Sequence, residues 1–124
     1  MRTLLLVATA LTLAACGGGG GSDDGGGGGT PTNRAPTANA GSPLTVDEFD
    51  AVTLNGSGTD PNGDTLTFSW TQLSGASVTL SDTTVAAPTF DAPDVTAVNT
   101  PEVLRFQLTV SDGSLSNSAT VDIT

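Results

Sequence analysis

Three segments in the second half of the chain alternate apolar and polar residues with a period of two. Their apolar positions are Leu66, Phe68 and Trp70, then Leu104, Phe106, Leu108 and Val110, and finally Ala119, Val121 and Ile123. Because successive side chains of a strand point to opposite faces, each segment predicts a β-strand with one buried face. These strands are expected over residues 65–71, 104–110 and 118–124.

Shorter segments of similar character predict further strands, and residues that favour turns separate them. The further strands are expected at residues 36–40, 44–46, 51–55, 77–80 and 88–91. The turn residues are Asn55-Gly56, the run from Asp60 to Asp64, Ser74-Gly75 and Asp112-Gly113. The sequence has no stretch with helical periodicity. About seven short strands joined in this way predict an all-β fold, an antiparallel β-sandwich.

The N-terminal residues follow a different pattern, that of an exported protein. Met1-Arg2 precedes a brief apolar run that ends near Leu13, too short for a membrane span of roughly 20 residues but typical of a signal peptide. The next residues complete Leu13-Ala14-Ala15-Cys16, which resembles the bacterial lipobox. That resemblance implies cleavage after residue 15 and a diacylglyceryl thioether on Cys16. An ordinary secretory peptide is the alternative, but a lone cysteine has no disulfide partner within the chain.

The residues after Cys16 are almost entirely glycine. Residues 17–29 are interrupted only by Ser22-Asp23-Asp24, and polyglycine has little to gain from ordering. We therefore expect a disordered tether over residues 16–32 and a folded domain over residues 33–124. Lipoproteins kept in the inner membrane of Gram-negative bacteria commonly carry Asp after the lipidated Cys. By that resemblance, Gly17 favours the outer membrane of a bacterial cell envelope.

The charge balance narrows the classes of partner and of chemistry. Thirteen acidic residues face three arginines, which gives a net charge of −10, and the sequence has no His, Lys or Tyr. Such a charge opposes nucleic-acid binding and suits a divalent cation. Without His or Lys the commonest general bases and amine nucleophiles are missing, and one Cys cannot build the usual zinc site. We expect no enzymatic activity; a glycosidase that uses carboxylates alone is the alternative.

One acidic loop is a candidate calcium site. Asp60, Asn62 and Asp64 place three oxygen-bearing side chains on a tight loop, and Asp112 precedes Gly113 in a turn that a sandwich can bring to the same end. Calcium takes oxygen ligands of this kind. The same residue types also form turns in which the side chain accepts a hydrogen bond from a nearby backbone N–H. Both interpretations remain open from the sequence.

Trp70 has two interpretations as well. Aromatic residues dominate sugar-binding faces, but Trp70 is in phase with Leu66 and Phe68, which predicts a place in the core. Arg105 is out of phase with its apolar neighbours and is expected to pair with a surface carboxylate.

Four motifs in order resemble the PKD (polycystic kidney disease) domain family. They are NRAPTANAG at 33–41, LNGSGTDPNGD at 54–64, TLTFSWTQ at 65–72 and LTVSDG at 108–113. The similarity spans residues 33–124, and residues 74–93 resemble the subgroup of KIAA-type and REJ proteins. The resemblance implies an immunoglobulin-like sandwich that serves extracellular proteins as a spacer or adhesion module. It also implies calcium ligands at Asn33, Asp60, Asp64 and Asp112, with Asn62 as a further candidate. The family commonly has Asp where Asn55 and Asn62 stand; Asn at position 62 removes one charge from the loop, which implies weaker binding.

Taken together, these patterns predict a non-catalytic cell-envelope lipoprotein. It would be held to the membrane by lipid on Cys16 and would display a spacer or adhesion module that contacts an unidentified extracellular or periplasmic protein. Ca²⁺ is the one cofactor that the sequence suggests, and a turn-only role for the same residues stays open. A structural spacer, or an N-terminal fragment of a larger surface protein, is the alternative.

Overall fold

The computed structural model describes residues 31–95 and 101–124. Seven strands occur in these residues: β1 (Thr37–Asn39), β2 (Ala51–Thr53), β3 (Ser57–Thr59), β4 (Thr67–Ser74), β5 (Thr89–Asp91), β6 (Leu104–Ser111) and β7 (Ser116–Ile123). The strands pair antiparallel in three sheets, ordered β1-β3, β2-β5 and β4-β6-β7. The predicted all-β antiparallel sandwich is confirmed. The predicted signal peptide, Cys16 and most of the predicted tether lie outside the described residues.

The three long strands form the main sheet because their alternation gives them a continuous apolar face. In β6 the buried positions are Leu104, Phe106, Leu108 and Val110. Trp70 of β4 lies opposite Leu108, and Leu108 lies opposite Ala119 of β7. The short pairs β1-β3 and β2-β5 cover this face, so that one apolar cluster joins the layers. Burial of this cluster is the main driving force for the fold.

Trp70 lies in the core, as its phase predicts, with 3% of its surface exposed. Its indole Nε1 donates a hydrogen bond to the Val85 carbonyl at 3.1 Å, which satisfies the one polar group of the ring. A Cβ on Gly56 would lie 2.6 Å from Cζ2 of Trp70, so only glycine fits there. The turn predicted at Asn55-Gly56 is absent, because this segment connects β2 to β3 without turning back. Gly56 is required there by packing.

Two of the predicted strands are not strands in the structure. Residues 77–80 have the alternating burial of a strand, but their backbone bonds to the Gln72 side chain, whose Oε1 accepts from Val78 N at 3.1 Å. At residues 44–46 the structure has a single parallel bridge, between Leu44 and Ile123. Conversely, β3 was not predicted, because Ser57-Gly58-Thr59 has no apolar residue to reveal it.

The described residues, 31–95 and 101–124, contain no helix whose length and apolar character would let it span a bilayer.

Candidate metal centre

Three carboxylates meet at one end of the sandwich, which we call the cation end. Asp60 follows β3, Asp64 lies in the loop before β4, and Asp112 follows β6. One oxygen of each lies within 4.8 Å of the other two. The pairing of β4 with β6 explains the convergence: Thr67 lies opposite Ser111, so the loop before β4 meets the turn after β6. Sequence motifs that are nearly fifty residues apart thus reach one site.

The loop from Asp60 to Asp64 is held by Asp60 itself. Asp60 Oδ1 accepts from Asn62 N at 2.7 Å and from Asp64 N at 3.2 Å, and its backbone carbonyl accepts from Gly63 N at 3.2 Å. Gly63 has a φ of 80°, a left-handed conformation that glycine adopts at little cost. One of the two Asp60 carboxylate oxygens, Oδ1, therefore has the turn-forming role that the sequence predicts.

The second oxygen of Asp60 has different surroundings. Oδ2 is buried and has no hydrogen-bond partner among the described residues. A buried carboxylate oxygen without a donor is costly, because it has lost water and gained nothing. An ion bound beside Asp64 and Asp112 would satisfy this oxygen, which is the strongest local sign that the loop is more than a turn.

Asp112 is held in its ionised form by the turn that follows it. Its Oδ1 accepts from Ser114 N at 2.7 Å and from Leu115 N at 2.6 Å. These backbone N–H groups, that of Leu115 foremost, hold the pKa of Asp112 below its ordinary value. Its Oδ2 accepts from Asn33 Nδ2 at 3.0 Å. Asp112 therefore offers a full negative charge to the cluster.

The two asparagines differ in what their side chains do. Asn33 donates a hydrogen bond to Asp112, so the structure brings Asn33, Asp60, Asp64 and Asp112 together. In Asn62, Oδ1 accepts from Arg34 N at 2.8 Å and Nδ2 donates to the Thr32 carbonyl at 3.4 Å. Asn62 thus holds the segment before β1 against the acidic loop. The sequence carried no signal for this contact, because it involves only the backbone of the partner segment.

The donor set fits calcium. Two oxygens bound to one Ca²⁺ at about 2.3–2.6 Å are at most about 5 Å apart, and the three carboxylates lie within that span. The three carboxylates also repel one another. Within residues 31–95 and 101–124 the one ion pair joins Arg105 to Asp122, outside this cluster. Asp60, Asp64 and Asp112 would supply carboxylate ligands to the ion, whose charge would remove the repulsion between them.

Comparison with known proteins identifies a family and a relative. A family model described as K319L-like, PKD domain matches residues 40–124. Over 89 residues the chain is 32% identical to Chitinase A of Pseudoalteromonas piscicida, a match that covers 72% of this chain and 10% of that protein. The chain thus spans about a tenth of the length of this relative. No solved structure matches the chain.

Proposed function

The chain belongs to the K319L-like PKD domain family, and from this premise we propose that it is a non-catalytic module displayed on the bacterial cell envelope. In this proposal the domain is a spacer or adhesion unit that contacts another protein. The family match carries it, because PKD domains are generally non-catalytic contact modules.

The anchor in this proposal is lipid on Cys16. Support comes from the Leu13-Ala14-Ala15-Cys16 motif, from the apolar run before it and from the glycine-rich run after it. Several acyl chains hold a protein on a membrane, since each buried CH₂ contributes about 0.8 kcal/mol. We propose the outer membrane as the location in a Gram-negative host, because Gly17 replaces the Asp common in inner-membrane lipoproteins.

The test is metabolic labelling with palmitate in a Gram-negative host, followed by separation of the two membranes. The full chain should be labelled and should sediment with the outer membrane, while Cys16→Ser should be unlabelled and released. Thr9→Ser, a mild change in the same signal segment, is the matched control and should behave like the parent. An unlabelled parent chain in the soluble fraction would overturn the proposal.

We further propose that the cation end binds calcium with low affinity. The unpartnered Oδ2 of Asp60 and the ionised state of Asp112 support this, together with the short distances among the three carboxylates. The side-chain oxygen of Asn62 already accepts a backbone hydrogen bond, which leaves fewer protein ligands and favours weak binding. Calorimetric titration with Ca²⁺ tests this; absence of heat up to millimolar calcium would reject it.

Polysaccharide contact is a second candidate, because the relative is named a chitinase. Sedimentation of the purified chain with insoluble chitin tests it, and retention would support this candidate over protein contact. Against it, Trp70 is buried, and the sequence offers no Tyr.

The proposal that the chain is not an enzyme is supported at one residue, besides the family match. A carboxylate-only glycosidase needs a general acid whose pKa is raised. The pKa of Asp112 is lowered by its backbone donors instead, so this residue suits a cation and not proton donation. Incubation with glycan substrates should give no hydrolysis; turnover that disappears with Asp64→Asn would contradict the proposal.

A further inference from the structure

The end of the sandwich opposite the carboxylate cluster carries an apolar depression with an acidic rim. The length of β6 separates the two ends. Asp112 follows Ser111, the last residue of β6, and the first residue, Leu104, lies about 24 Å from Ser111 at the usual rise per residue. Ala92, Leu104 and Ile123 form the apolar floor. The acids Asp47, Glu48 and Glu102 also line it. We call this set the far-end depression.

Phe49 stands beside the far-end depression, directly after two residues that line it. Its side chain is 69% exposed, the highest value among the large apolar residues described. Its φ is 67°, a left-handed conformation that is unusual for a bulky residue. Hydrogen bonds hold it there, from Phe49 N to the Ala92 carbonyl at 3.0 Å and from Asp50 N to the Asp47 carbonyl at 3.2 Å. The fold therefore keeps an aromatic side chain in solvent on a backbone segment that borders the depression.

The size of the depression limits its occupant. The depression is small and open to solvent, with room for only about one or two groups the size of a water molecule. One aliphatic side chain suits such a space better than a cofactor does. An exposed aromatic residue beside a small apolar pocket is a common arrangement in protein interfaces.

Charge determines the kind of partner. Asp47 and Glu48 line the depression, Asp50 follows Phe49, and none of the described lining residues is cationic. Glu102 accepts from Ala76 N through one oxygen and so is fixed in place. Interfaces pair potentials of opposite sign, so an acidic rim selects a basic segment and disfavours an acidic one.

We propose that the far-end depression and Phe49 form a docking surface for a basic segment of another protein. One aliphatic side chain of that segment enters the depression above Ala92, Leu104 and Ile123, and packs against Phe49. Its neighbouring Lys or Arg residues meet the carboxylates of Asp47 and Glu48. This inference deepens the proposed contact function, on which it rests, by naming the contact surface and the chemistry of the partner.

The test uses the isotope-labelled chain and a short peptide in which Lys and Leu alternate. Saturable chemical-shift changes should be confined to residues 46–50, 92–95, 102–104 and 123–124. A peptide with Glu in place of Lys should not bind, and one with Ser in place of Leu should bind about tenfold more weakly. Shift changes spread over the whole acidic surface, or no binding at all, would overturn the proposal.

Phe49→Gly is the decisive variant, because glycine accepts the left-handed backbone at this position. It should unfold at the same temperature as the parent or higher, yet lose peptide affinity about tenfold. Retained affinity would refute the role of Phe49. Asp82→Asn is the matched charge control: it removes a carboxylate elsewhere, keeps the Oδ1 that accepts from Thr84 N, and should change affinity by less than about twofold.

The peptide-binding test and the palmitate-labelling test of the anchor can fail independently. Phe49→Gly should leave palmitate labelling and membrane location unchanged, so failure of peptide binding would remove the docking surface and leave the displayed lipoprotein in place. Conversely, an unlabelled chain that still binds the peptide would reject the proposed lipid anchor and leave the docking surface supported.

Discussion

The two oxygens of the Asp60 carboxylate have different surroundings, which makes this residue the sharpest probe of the cation end. Oδ1 holds the loop, whereas Oδ2 is buried and lacks a partner among the described residues. Replacement by Asn retains an oxygen for the loop and removes the charge that a cation needs. Loop formation and the proposed metal binding can therefore be tested separately at one position.

We predict that Asp60→Asn abolishes the calcium-dependent rise in melting temperature. In the parent chain, calcium at a hundredfold excess over its Kd should add about 2.7 kcal/mol to the free energy of unfolding. In chelator the variant should be at least as stable as the parent, because one of three mutually repelling carboxylates is gone. Thermal unfolding with and without calcium measures both, with Asp82→Asn as control. A variant that keeps the calcium response would exclude Asp60 as a ligand.

Gly56 is the residue on which core packing depends most directly. We predict that Gly56→Ala lowers the free energy of unfolding by about 1–3 kcal/mol, because its Cβ would lie 2.6 Å from Trp70 and 2.7 Å from the Ala86 carbonyl. Since Trp70 is the single tryptophan, its fluorescence should shift. Gly113→Ala is the control: it has open space but a φ of 95°, so it should cost stability through the backbone and leave the emission unchanged. An unchanged emission in Gly56→Ala would contradict this account.

At the scale of elements, the segment after β4 depends on one side chain. Gln72 Nε2 donates to the Ala76 carbonyl at 2.7 Å, and its Oε1 accepts from Val78 N at 3.1 Å. These bonds satisfy backbone groups that a neighbouring strand would otherwise serve. Ala76, Val78 and Leu80 pack against the core from this segment.

We predict that Gln72→Met lowers the free energy of unfolding by about 1–3 kcal/mol, because it leaves these backbone groups without partners. Hydrogen exchange at the Val78 amide should accelerate by more than global destabilisation explains. Gln107→Met is the control, since Gln107 makes one long bond, 3.3 Å, to Ser118 Oγ at the exposed face. Equal protection of Val78 in both variants would show that Gln72 does not hold the segment.

The same elements show what the sequence determines by itself. β4, β6 and β7 were predictable because each carries several alternating apolar residues. β3 was not, since its pairing with β1 comes from the fold around it and from no apolar pattern of its own. The prediction of a strand at residues 77–80 was wrong. Alternation shows which side chains are buried, but it does not show which groups the backbone hydrogen-bonds to. At the cation end, turn chemistry revealed Asp60 and Asp64, but the burial of Oδ2 depends on the assembled loops.

At the scale of the whole molecule, the shifted carboxylates set the response to acid. Hydrogen bonds from Arg105, at 2.6 and 2.7 Å, and its charge lower the pKa of Asp122 against the opposing effect of burial. The pKa values of Asp82 and Asp112 are also lowered, by hydrogen bonds from Thr84 and from Leu115 and Ser114. A carboxyl whose pKa is lowered by folding stabilises the protein above its unfolded pKa, and this contribution is lost as the pH falls.

We predict that the free energy of unfolding decreases as the pH falls below about 4, near the ordinary carboxyl value of 3.8. Asp122→Asn should make this decrease shallower, and Arg105→Gln should have the same effect because it removes the donor. The change should be small, since half of the Arg105 side chain is exposed and solvent screens the pair. Urea unfolding between pH 2 and 6 measures it. A parent chain whose stability rises as the pH falls from 4 would contradict the sign.

The contacts of Asn62 and Asp112 with the segment before β1 have a mechanical consequence. The chain enters the fold at this point, where Asn62 bonds to Thr32 and Arg34 and Asp112 bonds to Asn33. A pull on the N-terminal side therefore loads the carboxylate cluster before it reaches the main sheet. If calcium binds there as proposed, it would strengthen this attachment, and the force needed to detach β1 would rise with the calcium concentration.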